Sequence, residues 1–407
     1  MTKKSLKKLL VVAFVALFTT GAIFASGSQE ADTQESGAQE ASVFKVGVIY
    51  VGDENEGYTE AHMKGIEEMK SVLGLSDSQV IEKANIPESE ACYDAAVDLA
   101  SQGCSLIIAN SFGHEDYMLQ AAKEYPEVQF CHATGYQAGL SGLSNMHNFM
   151  PAVYQSRYVA GVAAGLKLND MIANGTITAE DCKMGYVGAY PYAEVVSGYT
   201  SFYLGVKSVC PTATMVVRYT NSWADMTLEK ETADALIAEG CVLISQHADT
   251  TGAPTACEAK NIPMVGYNVD MTTVAPNSAI TSAALNWGAY YAYAAKLVKD
   301  GETVPVDWSK GYTDDAVYIT PINTNVAAAG TQERVDEVIA AIKSGDLNVF
   351  NTSTFTVNGE KIEDLIAAGG DFEKYGQYVS DGYFHEQEIG SAPAFDLRID
   401  GITELTN

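Results

Sequence analysis

The sequence repeats part of itself at a nearly constant spacing. The matching segments are residues 99–109 with 236–246, 45–52 with 183–190, and 127–136 with 261–270. In the first pair, Cys104 and Cys241 stand 137 positions apart, and the other two pairs have similar separations. Self-similarity at a fixed period indicates a repeated architecture. The sequence therefore predicts two halves with the same topology.

Each half alternates short apolar runs with segments of helical periodicity. Predicted strands cover residues 46–51, 106–109, 185–188, 215–218, 242–245 and 264–267, and predicted helices cover 58–73, 117–125 and 195–209. Continuous apolar strands separated by helices are typical of parallel sheets that are covered on both faces. We therefore expect an α/β protein with two doubly wound, Rossmann-like lobes joined by a hinge. Ligands of such sheets bind at the carboxyl ends of the strands, so two facing lobes would form a cleft.

The chain begins with the pattern of a secretory signal. A cationic stretch with Lys3, Lys4, Lys7 and Lys8 precedes an apolar run at 9–18 and small residues before a cleavage point after Ala25. We expect residues 1–25 to be a signal peptide and the polar residues 26–43 a flexible linker. The first cysteine is Cys92, so no lipid anchor is expected at the cleavage site.

The remaining residues are too many for one core of ordinary size, which also indicates two domains. We expect lobe 1 to contain residues 44–153 with 271–312, and lobe 2 to contain residues 154–270 with 313–407. The segment 351–407 is assigned to lobe 2 as a hairpin followed by a helix.

Composition narrows the possible partners and chemistry. Acidic residues outnumber basic ones 52 to 24, giving a formal charge of −28, which disfavours nucleic acid. The seven cysteines lie far apart without metal-ligand spacing, so no metal site is expected and they are interpreted as buried filler. No G-x-S-x-G, H-E-x-x-H or phosphate-loop motif occurs. The acidic GDENEG at 52–57 departs from the EF-hand pattern and is interpreted as a solvated loop.

Eight segments in order resemble the basic membrane protein family of ABC transporter substrate-binding proteins, which includes purine nucleoside and nucleobase receptors. They are VGVIYVGDENEGYTEAH from Val46, ANSFGHEDYMLQAAKEYPEVQFCHATGY from Ala109, SRYVAGVAAG from Ser156, YVGAYPYAEVVSGYTSFYLGVKSVCP from Tyr186, NSWAD from Asn221, SQHADT from Ser245, GYNVDM from Gly266 and LNWGAYY from Leu285. The resemblance covers residues 44–350. It implies the type I periplasmic-binding-protein fold, a monomer outside the cytoplasm, a small purine-type ligand without any cofactor, and a permease partner in the inner membrane.

Aromatic and polar residues in the predicted strand-end loops suit a flat ligand, which needs a stacking face and a few fixed polar groups. The candidate ligand-binding residues are Tyr58, Phe112, Tyr190, Trp223, His247, Asp249, Asn268, Asp270 and Trp287. Any of these aromatics could instead pack in a core or hinge, and Asp270 could instead cap the following turn. No catalytic residue is expected.

The resemblance also bears on which ligand is bound. Nucleoside-binding relatives often carry a lysine after the strand that follows the D-x-D loop, and here TSAALNWGAYY has Asn286 and Trp287 instead. The missing cation favours a free nucleobase such as adenine over a nucleoside. Riboflavin is the competing flat ligand. A sensory receptor that does not take part in transport is another interpretation, and a secreted nucleoside hydrolase is the remote enzymatic alternative.

Overall fold

Strands and helices alternate along almost the whole chain in the computed structural model, which describes residues 43–405. The strands are β1 (Val46–Ile49), β2 (Val80–Lys83), β3 (Leu106–Ala109), β4 (Gln129–Ala133), β5 (Met146–Phe149), β6 (Lys183–Gly188), β7 (Thr214–Tyr219), β8 (Leu243–His247), β9 (Met264–Tyr267), β10 (Ala279–Leu285), β11 (Asp307–Trp308), β12 (Val317–Ile319), β13 (Val379–Ser380), β14 (Tyr383–Phe384) and β15 (Ile402–Leu405). The α-helices are α1 (Gly57–Leu73), α2 (Glu90–Ser101), α3 (Glu115–Glu124), α4 (Ala138–Ser141), α5 (Val153–Ala173), α6 (Ala193–Val209), α7 (Met226–Ala238), α8 (Gly252–Lys260), α9 (Trp287–Asp300), α10 (Thr331–Ser344) and α11 (Ile362–Ala368). The predicted signal peptide and all but the last residue of the predicted linker lie outside the described residues.

Thirteen of the fifteen described strands form two sheets with the same order, and β13 and β14 form a separate antiparallel pair. One sheet runs β2-β1-β3-β4-β5-β11, and the other runs β7-β6-β8-β9-β10-β12 with β15 added beside β7. Every pairing in these two sheets is parallel except that of β12 with β10. The predicted pair of doubly wound α/β lobes is thus confirmed.

The repeat extends to side-chain packing. A Cβ on Gly47 of β1 would lie 2.9 Å from Leu99 of α2, and a Cβ on Gly185 of β6 would lie 2.9 Å from Leu236 of α7. In both sheets the missing side chain lets a helix approach the first strand closely. Leu99 and Leu236 are the first residues of the two matching sequence segments that contain Cys104 and Cys241.

Two helices cross from one lobe to the other. Helix α5 follows a strand of the first sheet but packs on α6, and α9 follows a strand of the second sheet but packs on α1. Strand β10 itself pairs with β9 in the second sheet. The predicted boundary, which placed residues 271–312 in lobe 1, therefore differs from the structure: 271–285 lie with lobe 2, and the chain crosses to lobe 1 only at α9. An apolar strand gives no sign of which sheet it joins.

The C-terminal segment completes the second lobe. A turn bridged at Val357 and Glu360 precedes α11, and β15 then pairs in parallel with β7. Phe395 stacks on Phe350 at 4.3 Å and is fully buried in the core of this lobe. All seven cysteines are buried as well. Among residues 43–405, no helix is both long and apolar enough to cross a membrane.

Candidate functional site

A cavity of about 490 Å³ lies between the two sheets, at the carboxyl ends of their strands. Lobe 1 contributes the segments after β1, β2, β3 and β4, and lobe 2 contributes the start of α6, the segments after β7 and β8, and the end of β9. The lining residues are Val51, Gly52, Asp53, Asn55, Glu56, Tyr58, Asn85, Glu88, Ser111, Phe112, Thr134, Glu194, Trp223, Ala224, Met226, Asp249, Thr250 and Tyr267. This is where doubly wound sheets bind their ligands.

Four aromatic side chains face the cavity, two from each lobe: Tyr58, Phe112, Trp223 and Tyr267. The Tyr58 hydroxyl donates to the Asn110 carbonyl, which fixes the ring. Phe112 is 47% exposed, and its ring meets Tyr192 of the other lobe with centroids 6.3 Å apart. The cavity therefore offers aromatic surface on both sides.

Five carboxylates line the same cavity: Asp53, Glu56, Glu88, Glu194 and Asp249. Among the described residues, no lysine or arginine lines it. Burial raises the pKa of Glu194 to about 7, although the Arg157 charge opposes the shift, and burial also raises the pKa of Glu56. Burial, followed by repulsion from Glu56 and Glu229, holds the pKa of Asp249 well above its usual range. Such a site disfavours anions and favours ligands that donate hydrogen bonds.

Buried polar residues of lobe 2 position two of these acids. Asn268 Nδ2 donates to Asp249 Oδ1 at 2.8 Å, and His247 Nε2 lies 3.3 Å from Glu194 Oε1. Burial lowers the pKa of His247 well below its usual range, so the ring is neutral at physiological pH. The acids are thus fixed without a full ion pair at the cavity wall.

Two hydroxyl groups at the cavity have no hydrogen-bond partner within residues 43–405: those of Tyr267 and Thr134. Tyr267 is 2% exposed and Thr134 is 7% exposed. Buried polar groups usually find partners, and exceptions concentrate at functional sites. Thr134 also has a φ of 66°, a strained value for a β-branched residue. Asn268, at the matching place after β9, has a φ of 63°.

The structure brings four of the nine predicted residues to the cavity: Tyr58, Phe112, Trp223 and Asp249. His247 and Asn268 lie behind the wall and hold Glu194 and Asp249.

The remaining three predicted residues pack elsewhere. Tyr190 stacks on Tyr192 at 5.1 Å, and Asp270 accepts a hydrogen bond from the Thr272 amide at 2.9 Å, which is the capping role considered for it. Trp287 is completely buried in lobe 1, stacked on His62 with centroids 3.9 Å apart. An aromatic residue after a strand has the same sequence context whether it enters a cleft or a core.

Sequence reasoning missed Glu56, Thr134, Glu194 and Tyr267. The interpretation of residues 52–57 as a solvated loop was incomplete, because Glu56 caps α1 by accepting from the Thr59 amide and also lines the cavity. Glu194 stands two residues after Tyr192, near the start of α6, in the segment that also contains the candidate Tyr190. Thr134 and Tyr267 stand at strand ends, and Glu56 and Glu194 stand at the starts of the helices that follow strands, so these positions were an available signal.

Comparison with known proteins agrees with this architecture. The family described as ABC transporter substrate-binding protein PnrA-like, or Bmp, matches residues 38–347. A purine-binding protein of Brucella abortus is 34% identical over 337 residues, covering 81% of this chain and 91% of that protein. A putative ABC transporter glucose-binding protein of Haloferax volcanii is 28% identical, covering 82% of this chain and 80% of that protein.

Among solved structures, a solute-binding protein of an ABC transporter system from Aeropyrum pernix K1 superposes with a TM-score of 0.62 at 17% identity, covering 82% of this chain and 98% of that one. This likeness concerns the fold, which is that of type I periplasmic-binding proteins. The family match spans most of the chain and confirms the resemblance seen in the sequence. The chain belongs to the PnrA-like Bmp family of ABC transporter substrate-binding proteins.

Proposed function

We propose that this protein works outside the cytoplasm, captures a purine nucleobase or nucleoside between its lobes, and presents it to an ABC permease. The observation that carries the proposal is the interlobe cavity, which combines four aromatic rings with five carboxylates and is lined by no lysine or arginine of residues 43–405. The purine-binding relative from Brucella abortus supports the same ligand class.

The cavity matches the two parts of a purine. Its flat ring system needs aromatic contact, which Tyr58, Phe112 and Trp223 offer. Its ring N–H and exocyclic amine are donors, and Asp249 and Glu194 are acceptors when ionised and both donors and acceptors when protonated. A volume of about 490 Å³ is within the usual range for small-molecule sites.

The lobes touch across the cleft in this structure, which is therefore a closed arrangement. The Gly57 amide of lobe 1 donates to the Asp249 carbonyl of lobe 2 at 3.1 Å, beside the cross-lobe ring contact of Phe112 with Tyr192. A ligand that touches both lobes binds the closed form better than the open form and shifts the population towards it. The closed surface is then what the permease recognises.

Glucose is a second candidate ligand, because the Haloferax volcanii relative is described as glucose-binding. Carboxylates and aromatic rings also suit a sugar, since its hydroxyls donate to acids while its C–H face packs on a ring. Riboflavin remains the flat competitor from the family resemblance. Presentation to a sensory partner in place of a permease would use the same cavity.

The test is isothermal titration of the purified protein after unfolding and refolding, which removes carried-over ligand. The probes are adenine, adenosine, guanosine, riboflavin and glucose, and a melting-temperature shift should accompany each binding isotherm. We expect saturable binding of at least one purine. Binding of glucose or riboflavin alone would overturn the purine assignment while keeping the receptor.

A further inference from the structure

Two cysteine sulfurs lie in contact inside lobe 2. Cys182 directly precedes β6 and Cys210 directly follows α6, and their sulfurs are 4.0 Å apart as free thiols. Each residue is only 1% exposed. The other cysteines of this lobe, Cys241 and Cys257, belong to a separate buried cluster. Cys182 and Cys210 thus form a defined pair within the lobe 2 core.

The topology of lobe 2 brings this pair together, although 28 positions separate the two residues in the sequence. Helix α6 runs back along the sheet after β6, so its last turn returns to the edge where β6 begins. Backbone hydrogen bonds then fix both positions: the Thr214 amide donates to the Cys182 carbonyl at 2.9 Å, and the Ala213 amide donates to the Cys210 carbonyl at 3.2 Å. The two cysteines consequently stand at the two ends of one β6–α6 unit.

The contacts of both thiols leave them free to approach each other. A disulfide needs its sulfurs about 2 Å apart, and rotation about a Cα–Cβ bond can move a sulfur by the remaining distance of about 2 Å. Cys182 Sγ lies 3.8 Å from the Thr178 carbonyl oxygen, and Cys210 Sγ lies 3.9 Å from Thr212 Oγ1. Such thiol hydrogen bonds are weak, so little is lost when the S–H hydrogens leave.

We infer that Cys182 and Cys210 form a disulfide that closes the β6–α6 unit. The two thiols lose two protons and two electrons as the S–S bond forms, and a protein or small-molecule disulfide accepts them and is reduced to two thiols. The expected signal peptide would deliver the chain to an oxidising compartment, where such acceptors are present. The inference does not depend on which ligand the cavity binds.

The bond ties together the two ends of a unit that carries part of the cavity wall. Glu194 lies in the first turn of α6 and lines the cavity. A disulfide restricts the unfolded chain, so closing a loop of this length stabilises the folded lobe. The matching β1–α1 unit of lobe 1 has Phe44 and Gly74 at the corresponding places, so the sequence provides this bond in lobe 2 alone.

The bond forms during folding rather than in the finished fold. Burial raises the pKa of Cys182 to about 11, and the thiolate is the form that attacks a disulfide. A buried thiol that stays protonated reacts slowly with an external oxidant. The test therefore forms the bond while the protein refolds.

The experiment unfolds the full chain under reducing conditions and refolds it in a glutathione redox buffer. The product is denatured in iodoacetamide, which labels free thiols, and is then digested with trypsin. Cys182 falls in the tryptic peptide 168–183 and Cys210 in the peptide 208–218. We expect mass spectrometry without reductant to find these two peptides linked, and five of the seven cysteines to be labelled. Seven labelled cysteines, or links between other cysteine peptides, overturn the inference.

Three variants separate the bond from the general effect of losing a buried cysteine. Cys182→Ser and Cys210→Ser should each give no linked peptides, with all six remaining cysteines labelled. Cys257→Ser is the matched control, a buried cysteine of the same lobe outside the pair, and it should keep the link. Reductant should lower the melting temperature of the unaltered protein and of Cys257→Ser by about 3 °C or more, and leave that of Cys182→Ser unchanged. An equal effect of reductant on Cys182→Ser and the unaltered protein overturns the stabilising role of the bond.

Discussion

The two lobes use equivalent helix pairs in different ways. In lobe 2, the α5–α6 contact is made by backbone: a Cβ on Gly161 would lie 2.1 Å from the Phe202 carbonyl oxygen, and a Cβ on Gly205 would lie 2.1 Å from the Tyr158 carbonyl oxygen. In lobe 1, the α1–α9 contact at Gly65 is looser, since a Cβ there would lie 2.7 Å from the Gly288 nitrogen.

This difference follows from the side chains that pack around each helix pair. Around the lobe 1 pair, Trp287 stacks on His62 and meets the Phe149 and Tyr58 rings edge-on at 5.8 Å. The aromatic cluster separates the helices and supports Tyr58 at the ligand cavity. At the lobe 2 crossing, Gly161 and Gly205 let the backbones of the two helices come into direct contact. Lobe 1 thus uses its helix pair to position a ring that faces the cavity, and lobe 2 packs its pair backbone to backbone.

The largest expected effect is that of Gly161→Ala. The added methyl group would collide with backbone, which cannot rotate away, so we expect a loss of about 3 kcal/mol or more in the free energy of unfolding. Gly65→Ala should cost about 1–2 kcal/mol, because its neighbours are less close. Urea unfolding followed by circular dichroism measures both. Gly376→Ala is the control, since its Cβ would make only an ordinary 3.5 Å contact. Equal costs at Gly161 and Gly65 would contradict the comparison.

The contrast between the pairs could be predicted from the sequence only in part. The repeat and the apolar runs predicted the strands, and β3 and β9 have the predicted bounds. Which helix packs on which lobe depends on tertiary contacts between distant segments. The sequence therefore did not predict that α5 crosses to lobe 2 and α9 crosses to lobe 1. The same limit explains why the site residues were predicted only in part. Asp249 follows β8 and Asp270 follows β9, yet Asp249 lines the cavity and Asp270 caps a turn.

The repeat also places different groups at matching positions beside the ligand cavity. Phe112 follows β3 in lobe 1, and Asp249, 137 positions later, follows β8 in lobe 2. Phe112 is half-exposed and apolar, whereas Asp249 is buried and polar. At this matched pair of positions, lobe 1 therefore provides a stacking face and lobe 2 provides a hydrogen-bonding group, a difference that can be tested residue by residue.

Asp249→Ala should have the larger effect of these two positions. Removing the carboxyl eliminates the proposed hydrogen bond to the purine and leaves the Asn268 amide without its acceptor, so we expect purine affinity to fall by about 30- to 100-fold, equivalent to about 2–3 kcal/mol. Titration calorimetry gives the affinity. Asp270→Ala is the matched control, since Asp270 does not line the cavity, and its affinity should stay within about twofold. A greater loss at Asp270 than at Asp249 would restore the original expectation for Asp270.

Glu194→Gln should change how stability depends on pH in the ligand-free protein. Burial raises the pKa of Glu194 from 4.5 to about 7, so between these values the folded protein keeps a proton that the unfolded chain has lost. Stability contributed by this group therefore falls as pH rises through that window, by about 3 kcal/mol in total. Glutamine does not titrate, so the melting temperature of the variant relative to the unaltered protein should rise by several degrees between pH 5 and pH 8. The variant Glu373→Gln, at an exposed position, should show no such trend. If the melting-temperature difference between Glu194→Gln and the unaltered protein does not change with pH, burial does not raise the pKa of Glu194.

Phe112→Ala should have the smallest effect. Its ring is half-exposed, so its loss removes stacking without leaving a buried polar group unpaired, and we expect a five- to tenfold loss of purine affinity, about 1 kcal/mol. The free energy of unfolding should change by less than about 0.5 kcal/mol, because exposed side chains contribute little to stability. Leu228→Ala, an exposed apolar residue outside the cavity, is the control for both measurements. A loss of purine affinity equal to that of Asp249→Ala would show that stacking and hydrogen bonding contribute alike. The matched positions Phe112 and Asp249 would then not differ in their contribution to binding.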